Sequence, residues 1–284
     1  MTVALATCAE VPALDEDGGA LLEALEARGV SAVPAVWDDP DEDWSRFALV
    51  VVRSTWDYPP RRDEFLAWSE ALPRVLNDPQ TLRWNTDKRY LAELAAAGVR
   101  VIPTQFLDAG DAFTAPEGEY VVKPAISAGS KDTARYGDGD AERAAQHVAA
   151  LHAQGRVVMV QPYLEAVDAA GETALLYLGG EFSHSIRKGP VLHLGAPLTA
   201  GLHAPEDIRA QEATAPERAL GDRAMAAVAA RLPVPIYGRV DVVPAADGEP
   251  IVLEVELTEP SLYLGYTDGA TERFADLIAR EAAR

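Results

Sequence analysis

The chain has 284 residues, enough for two average domains or one multi-lobed unit with a substantial core. Apolar residues make up 48% and charged residues 25%, ordinary globular values that exclude a disordered or collagen-like chain. With 25 Lys and Arg against 45 Asp and Glu, the net charge of −20 excludes a broad nucleic-acid or anionic-membrane surface. An anionic ligand therefore needs a local island of cations, aided or not by a metal. The single cysteine, Cys8, cannot close an internal disulfide and points to a reducing compartment. The segment MTVALATCAEVP lacks the basic region of a signal peptide, and no stretch approaches the roughly 20 apolar residues of a membrane span. A soluble cytoplasmic protein is expected.

Apolar runs at Val3–Thr7, Val30–Trp37 and Ala48–Arg53 alternate with helical spacing at Ala20–Arg28 and Arg62–Leu72, and Arg74–Asn77 reads as a short strand. Residues 1–84 are thus predicted to form a parallel α/β lobe. Thr86 is placed to cap a helix that runs to Ala97 and stops at Gly98. Strands at Val99–Pro103, Tyr120–Lys123 and Arg156–Tyr163, with a helix over Ala141–Gln154, make a second lobe over 85–165. Residues 166–284 form the third, with hairpins about Gly179-Gly180 and Asp247-Gly248, helices near 215–231 and 271–283, and a poorly patterned stretch at 189–212. The fold class is α/β, becoming α+β in the later lobes.

The segment Ile236–Leu257 carries the most chemistry. A two-residue Asp247-Gly248 turn puts Asp241 opposite Glu254 and Arg239 opposite Glu256, all on one face. The other face collects Val240, Val242, Ile251, Leu253, Val255 and Leu257. Opposed like charges destabilise a hairpin, so three carboxylates beside one arginine require further positive charge. Hard oxygen ligands suit Mg²⁺, which takes substrate phosphates as remaining ligands; a solvated acidic face is the plain alternative. Lys123 ends a strand (Y-V-V-K-P) and opens a loop with Ser127, Gly129, Ser130 and Lys131, whose small residues let backbone N–H groups approach phosphate. No G-x-x-x-x-G-K-[ST], G-x-S-x-G or H-E-x-x-H is present. His147 and His152 read as surface residues, and His184, His193 and His203 lack metal-ligand spacing.

In order along the chain, Lys88, the strand-end V-K-P of Lys123, the Ser/Gly loop, the Q-P-Y-L linker from Gln161 to Leu164, Glu172, Arg239-x-Asp241 and Glu254-x-Glu256 resemble the ATP-grasp superfamily. V-R-S-T-W-D-Y (52–58), G-E-F-S-H (180–184) and E-P-S-L-Y-L (259–264) look closest to its bacterial branch containing the cyclo-ligase of cycloserine biosynthesis. The resemblance implies an N-terminal α/β lobe followed by two lobes that sandwich ATP. It implies that Lys88 and Lys123, with the loop of Ser127 and Ser130, contact the phosphates. Gln161, Tyr163 and Leu164 would hold adenine, and Glu172 the ribose. Asp241, Glu254 and Glu256 would carry Mg²⁺, two ions in all, and Arg239 would steady the tetrahedral intermediate. Many members end the metal motif E-x-N; here it is E-x-E, which leaves the role of Glu256 open. The implied activity is ATP-dependent ligation of a small-molecule carboxylate to an amine-like nucleophile through an acylphosphate, between two molecules or by closing a ring, with a small-molecule kinase or a non-catalytic nucleotide-binding protein as alternatives. Family precedent points to a homodimer.

Substrate contacts are sought at strand ends. Arg53, Ser54 and Asp57 follow a buried-type strand: Arg53 is a candidate for a carboxylate and Asp57 for an amino group, with a structural Arg–Asp pair as the alternative. A Gly179-Gly180 turn sets Glu172 opposite Arg187, a plain ion pair or a shared site, and makes Lys188 a further candidate for a substrate anion. Ser261, just past the metal strand, is a candidate hydrogen-bond partner.

Overall fold

In the computed structural model, which describes residues 2–198, 202 and 207–284, three sheets follow one another along the chain. The first is parallel. β1 (Thr2–Thr7) leads through α1 (Gly18–Glu26) to β2 (Ser31–Val36), then to β3 (Leu49–Ser54), α2 (Arg62–Ala71) and the short β4 (Val75–Leu76), in the spatial order β2-β1-β3-β4. Val3, Leu5, Leu49 and Val51 pack toward α1, while Ala4, Ala6, Val50 and Val52 pack toward Trp37 and Phe65. Both faces are covered, which is why these strands read as unbroken apolar runs. Cys8 is buried among the second set.

Two short helices follow, α3 (Pro79–Asn85) and α4 (Tyr90–Ala96), where one helix from Thr86 was expected. The Asp78 carboxylate accepts from the N–H groups of Gln80 and Thr81, with Pro79 behind it, so the helix starts earlier than Thr86. Thr86 becomes its C-cap, and Lys88 lies in the turn before α4 instead of on a helix.

The second sheet is antiparallel, with β5 (Gln105–Leu107), β6 (Tyr120–Pro124), β7 (Ala134–Tyr136) and β8 (Val158–Pro162) ordered β5-β8-β6-β7. Tyr120 and Val122 pack under α5 (Ala141–Ala153), so Val121 and Lys123 face the other way. His147, expected on the surface, is buried with its Nδ1 3.0 Å from the Tyr136 hydroxyl. His203 lies outside the described residues.

After α6 (Ala166–Ala170), the third sheet gathers β9 (Glu172–Leu178), β10 (Glu181–Lys188), β11 (Ile208–Ala210), β12 (Tyr237–Pro244) and β13 (Pro250–Glu256) in the order β11-β10-β9-β12-β13. One face packs on α7 (Ala215–Ala229) and α4 through Leu175, Val240, Val242 and Val255. The other is only partly covered, by α8 (Ala270–Ala282), which also packs on α1 and so joins the first and third sheets in one core. The uncovered part looks toward the second sheet.

Three β-bulges change which side chains reach that space. In β13 the turn is three residues long, with Ala245 N–H bonded to Glu249 O, Gly248 N–H to Ala245 O, and Gly248 at φ +80°. Alone this would slip the acids by one position, but Leu253 is an extra residue that restores the pairs Asp241–Glu254 and Arg239–Glu256. The expected register at the acids is correct, though for a different reason. The expected apolar face is not: Ile251 and Leu253 turn away from Val252 and Val255 to join Ile102 and Val167. In β10 an extra Ser183 places Lys188, not Arg187, opposite Glu172. In β3 the pairs Ala6–Val52 and Thr7–Ser54 leave Arg53 as the extra residue.

Among the described residues, no helix is long and apolar enough to cross a membrane.

Candidate active site

A cavity of about 830 Å³ lies between the second and third sheets and reaches the carboxyl edge of the first. Its apolar end is a slot of Ile102, Val121, Leu164, Val167 and the bulged Leu253. Gln161 and Tyr163 border it. The Gln161 amide donates to Thr104 Oγ1 at 2.9 Å, and the Tyr163 ring lies under the Arg135 guanidinium while its hydroxyl donates to Asp168 at 2.6 Å. Polar groups thus border an apolar gap, the common form of a small-molecule pocket.

Beyond the slot the walls are charged. Arg239 donates through Nε and Nη2 to the two oxygens of Asp241 at 2.9 and 3.0 Å, and also to Glu256. Lys188 Nζ bridges Asp241 at 2.8 Å and Glu172 at 3.0 Å. Lys88 Nζ bonds Glu254 at 2.9 Å, Ser127 O at 2.7 Å and Ser127 Oγ at 3.2 Å, which uses its three N–H groups. Lys123 lines the cavity with no carboxylate within ion-pair distance among the described residues. The loop after it has left-handed backbone at Gly129, Ser130 and Asp132, and Ser127 and Ser130 both border the cavity.

Burial opposes every one of these charges, and the outcome depends on partners. Arg239 and Lys188 are held well above their ordinary values by Asp241 and, respectively, Glu256 and Glu172. Asp241, despite burial, is drawn down to about 2 by Arg239 and Lys188. Lys88 is raised by Glu254, which is itself lowered by Lys88 and Lys123. Lys123 is lowered, since burial outweighs the pull of Glu254. Glu256 is pushed up to about 7 by burial and by Glu254 and Asp241, against the pull of Arg239. Glu259 is pushed up to about 8 by burial and Glu256.

Among the described residues, no three His, Cys, Asp or Glu side chains converge as a ready metal cage. Asp241, Glu254 and Glu256 border the same cavity, but each is neutralised by a cation. Lys88 and Lys188 supply the positive charge that Arg239 alone could not. The donor set still fits Mg²⁺. Glu254 and Glu256 each bond a cation through one oxygen only, and the ion is commonly bound by one or two carboxylates plus phosphates.

The predicted residues therefore divide. Lys88, Lys123, Ser127, Ser130, Gln161, Tyr163, Leu164, Glu172, Lys188, Arg239, Asp241, Glu254, Glu256 and Ser261 all line one cavity. Arg53, Ser54, Asp57 and Arg187 do not. Arg53 is buried, paired with Asp15 at 3.3 Å, and donates to Pro260 O. Ser54 shares a hydrogen bond with Thr7. Asp57 accepts from Trp37 Nε1 and Arg61. Arg187, opposite Thr173, donates to Ala170 O and lies 3.9 Å from Glu217. The bulges explain Arg53 and Arg187; Asp57 is structural, but it is held by Trp37 and Arg61 and not paired with Arg53 as the alternative had it. Trp56, Tyr58, Glu259 and Tyr263 line the cavity without having been assigned. Only their presence in V-R-S-T-W-D-Y and E-P-S-L-Y-L could have pointed to them.

Those two motifs and G-E-F-S-H meet on one segment. The carbonyls from Leu257 to Tyr263 each face a side-chain donor: in turn Asn77, the Tyr237 hydroxyl (whose one proton Val52 O and Leu76 O also share), Trp56, Arg53 and Arg239, and at Leu262 and Tyr263 His184 Nε2. Two carbonyl acceptors require Nε2 to carry the proton, so His184 Nδ1 accepts from Ser183. The segment leaving the acidic strand is a rail clamped by side chains of the first and third sheet-bearing regions.

Comparison with known proteins agrees with this architecture. The family model described as "D-cycloserine synthetase DcsG, N-terminal domain" matches residues 3–77. The cycloserine biosynthesis protein DcsG of Streptomyces lavendulae is 43% identical, over 98% of this chain and 97% of its own. The crystal structure of D-cycloserine synthetase DcsG superposes with a TM-score of 0.92 at 41% identity, covering 99% of this chain and 100% of the other. A RimK domain ATP-grasp protein from Sphaerobacter thermophilus, 20% identical with a TM-score of 0.66 over 100% of both chains, shares the fold. A parallel lobe, an apolar slot between two antiparallel sheets and an arginine-centred carboxylate face thus occur in a chain that belongs to the DcsG family of ATP-grasp proteins.

Proposed function

We propose that the chain is an ATP-dependent ligase that activates an amino-acid-like carboxylate as an acylphosphate and closes a ring by attack of an amine-like nitrogen of the same molecule. The observation that carries this reading is the Arg239, Asp241, Glu254 and Glu256 face set across one cavity from Lys123 and the apolar slot, in a chain similar along its whole length to a cycloserine biosynthesis protein.

In this reading adenine enters the slot of Val121, Leu164 and Leu253 against the Gln161–Tyr163 linker, and Glu172 meets the ribose. Lys123 bonds the phosphates, the loop of Ser127 and Ser130 closes over them, and Lys88 shares its charge between Glu254 and phosphate. Asp241, Glu254 and Glu256 would hold Mg²⁺, two ions by family precedent, which neutralises phosphate charge when bound. The cavity needs that charge: eight carboxylates and four cations line it among the described residues, so bare ATP would be repelled.

Phosphoryl transfer asks mainly for positioning and charge neutralisation. The substrate carboxylate oxygen attacks the γ-phosphorus, ADP leaves, and an acylphosphate forms. The nitrogen then adds to the carbonyl carbon; Arg239, fixed by Asp241 and Glu256, donates to the oxyanion, and phosphate departs as the C–N bond is completed. Removing one such donor typically lowers the rate about 10²–10³-fold.

Two measurements test this reading. With O-ureido-D-serine as sole substrate, ADP is released with no second amine, and added hydroxylamine diverts the acylphosphate to a hydroxamate. ADP without hydroxamate would indicate a kinase, and an obligatory second amine would indicate condensation. For Lys123→Ala, nucleotide affinity by calorimetry falls by about 1.5–3 kcal/mol, the range for a charged hydrogen bond. Unchanged affinity would remove Lys123 from the phosphate site.

A further inference from the structure

The ligase reading says where a carboxylate reacts but not what holds the rest of the substrate, and the rail from Leu257 to Tyr263 bears on that. Glu259 stands on it, three residues beyond Glu256. The residue is 8% exposed, lines the cavity, and its carboxylate has no hydrogen-bond or ion-pair partner among the described residues. Around it are Trp56 and Tyr58 from the turn after β3, Ser261 on the same rail, and Glu256 and Lys88, near enough to act on its charge without bonding it. Two anchors hold the backbone here: Trp56 Nε1 donates to Glu259 O at 3.0 Å, and Arg53 donates to Pro260 O at 3.3 Å. The Glu259 side chain is therefore aimed by the fold.

Burying a carboxylate without a bonded countercharge is costly and favours its protonated form, and a cationic ligand that brings the countercharge restores the carboxylate. The other acids along this wall are occupied: Asp241 by Arg239 and Lys188, Glu254 by Lys88, Glu256 by Arg239. Asp15, also at the cavity, faces Arg53. We propose that Glu259 is the specificity residue for the substrate, binding the α-ammonium group of an amino-acid substrate whose carboxyl group is activated beside Arg239. This deepens the ligase reading and rests on it. The pairing also keeps the α-nitrogen protonated and without a lone pair, so it cannot compete for the acylphosphate.

The test compares O-ureido-D-serine with its des-amino analogue, 3-(ureidooxy)propanoate, by ADP release. The wild-type enzyme is expected to prefer the amino compound at least about 10–100-fold in kcat/KM, as loss of one charged hydrogen bond implies. Glu259→Gln should raise KM for the amino compound by a similar factor, leave KM for ATP unchanged, and abolish the preference. Glu259→Asp should recover part of it. Equal use of both compounds by the wild-type enzyme would overturn the assignment while leaving the ligase reading intact, and needs no variant to fold. A Gln variant that keeps the preference, or that loses kcat with KM for the substrate unmoved, would also overturn it. No ADP from either compound with the wild-type enzyme would instead count against the ligase reading itself and take this assignment with it.

Discussion

Asp241→Asn is expected to lower turnover by at least about 10²–10³-fold, with Glu254→Gln close behind, in an ADP-release assay with saturating Mg²⁺. The two differ in stability. Asp241 is buried and holds two cations, so losing its charge leaves Arg239 and Lys188 undercompensated. Breaking a buried ion pair costs about 3–5 kcal/mol, and the low end applies because Arg239 keeps Glu256 and Lys188 keeps Glu172. Glu254→Gln should cost less, since Lys88 retains two bonds to Ser127. Denaturant titration without nucleotide separates these effects. A carboxylate whose folded pKa is depressed to about 2 adds stability above its unfolded value, near 4, and loses it as pH falls between the two. The gap between wild type and Asp241→Asn should therefore hold at neutral pH and close only below about pH 4. Full activity of both variants would refute the metal and charge assignments.

Arg53→Leu is expected to destabilise the fold by about 3–5 kcal/mol although Arg53 does not line the cavity. It would strand Asp15, whose Oδ1 already lacks a hydrogen-bond partner, and free the Pro260 carbonyl. Lysine should not rescue it, since a single ammonium cannot reproduce the two-pronged reach to Asp15 and the rail. Burial already raises the Asp15 pKa, against the pull of Arg53, so the variant's Asp15 should bind a proton more readily. A raised folded pKa favours the folded state at low pH, so the deficit should shrink as pH falls from neutrality. A deficit independent of pH would mean that packing against Tyr237 and Phe274, not charge, is what Arg53 provides.

These two residues mark the boundary of what was legible in the chain. Asp241 could be placed because β-pairing has a period of two and acids cannot share a face with valines, so Arg239, Asp241, Glu254 and Glu256 had to stand together. Lys123 was legible as the end of a strand that opens a loop of small and polar residues. Arg53 and Arg187 were not, because each depends on a bulge, one extra residue whose presence leaves no trace in hydrophobic patterning. The acidic hairpin had two such offsets, a longer turn and Leu253, and they cancelled at the acids while delivering Leu253 to the slot.

Local periodicity located the parallel lobe, the hairpins and the acidic face, because each depends on neighbours two to four residues apart, whereas the two lysines gained their meaning only through the resemblance to the ATP-grasp superfamily. Which carboxylate each cation serves was decided only in three dimensions. Lys88 meets Glu254 across 166 positions and Lys188 meets Asp241 across 53. Such pairings are set by burial, where every charge must find a partner wherever the fold brings one. The same holds for the rail from Leu257 to Tyr263, whose carbonyls are claimed by side chains from distant strands, leaving the Glu259 carboxylate turned inward and unmatched.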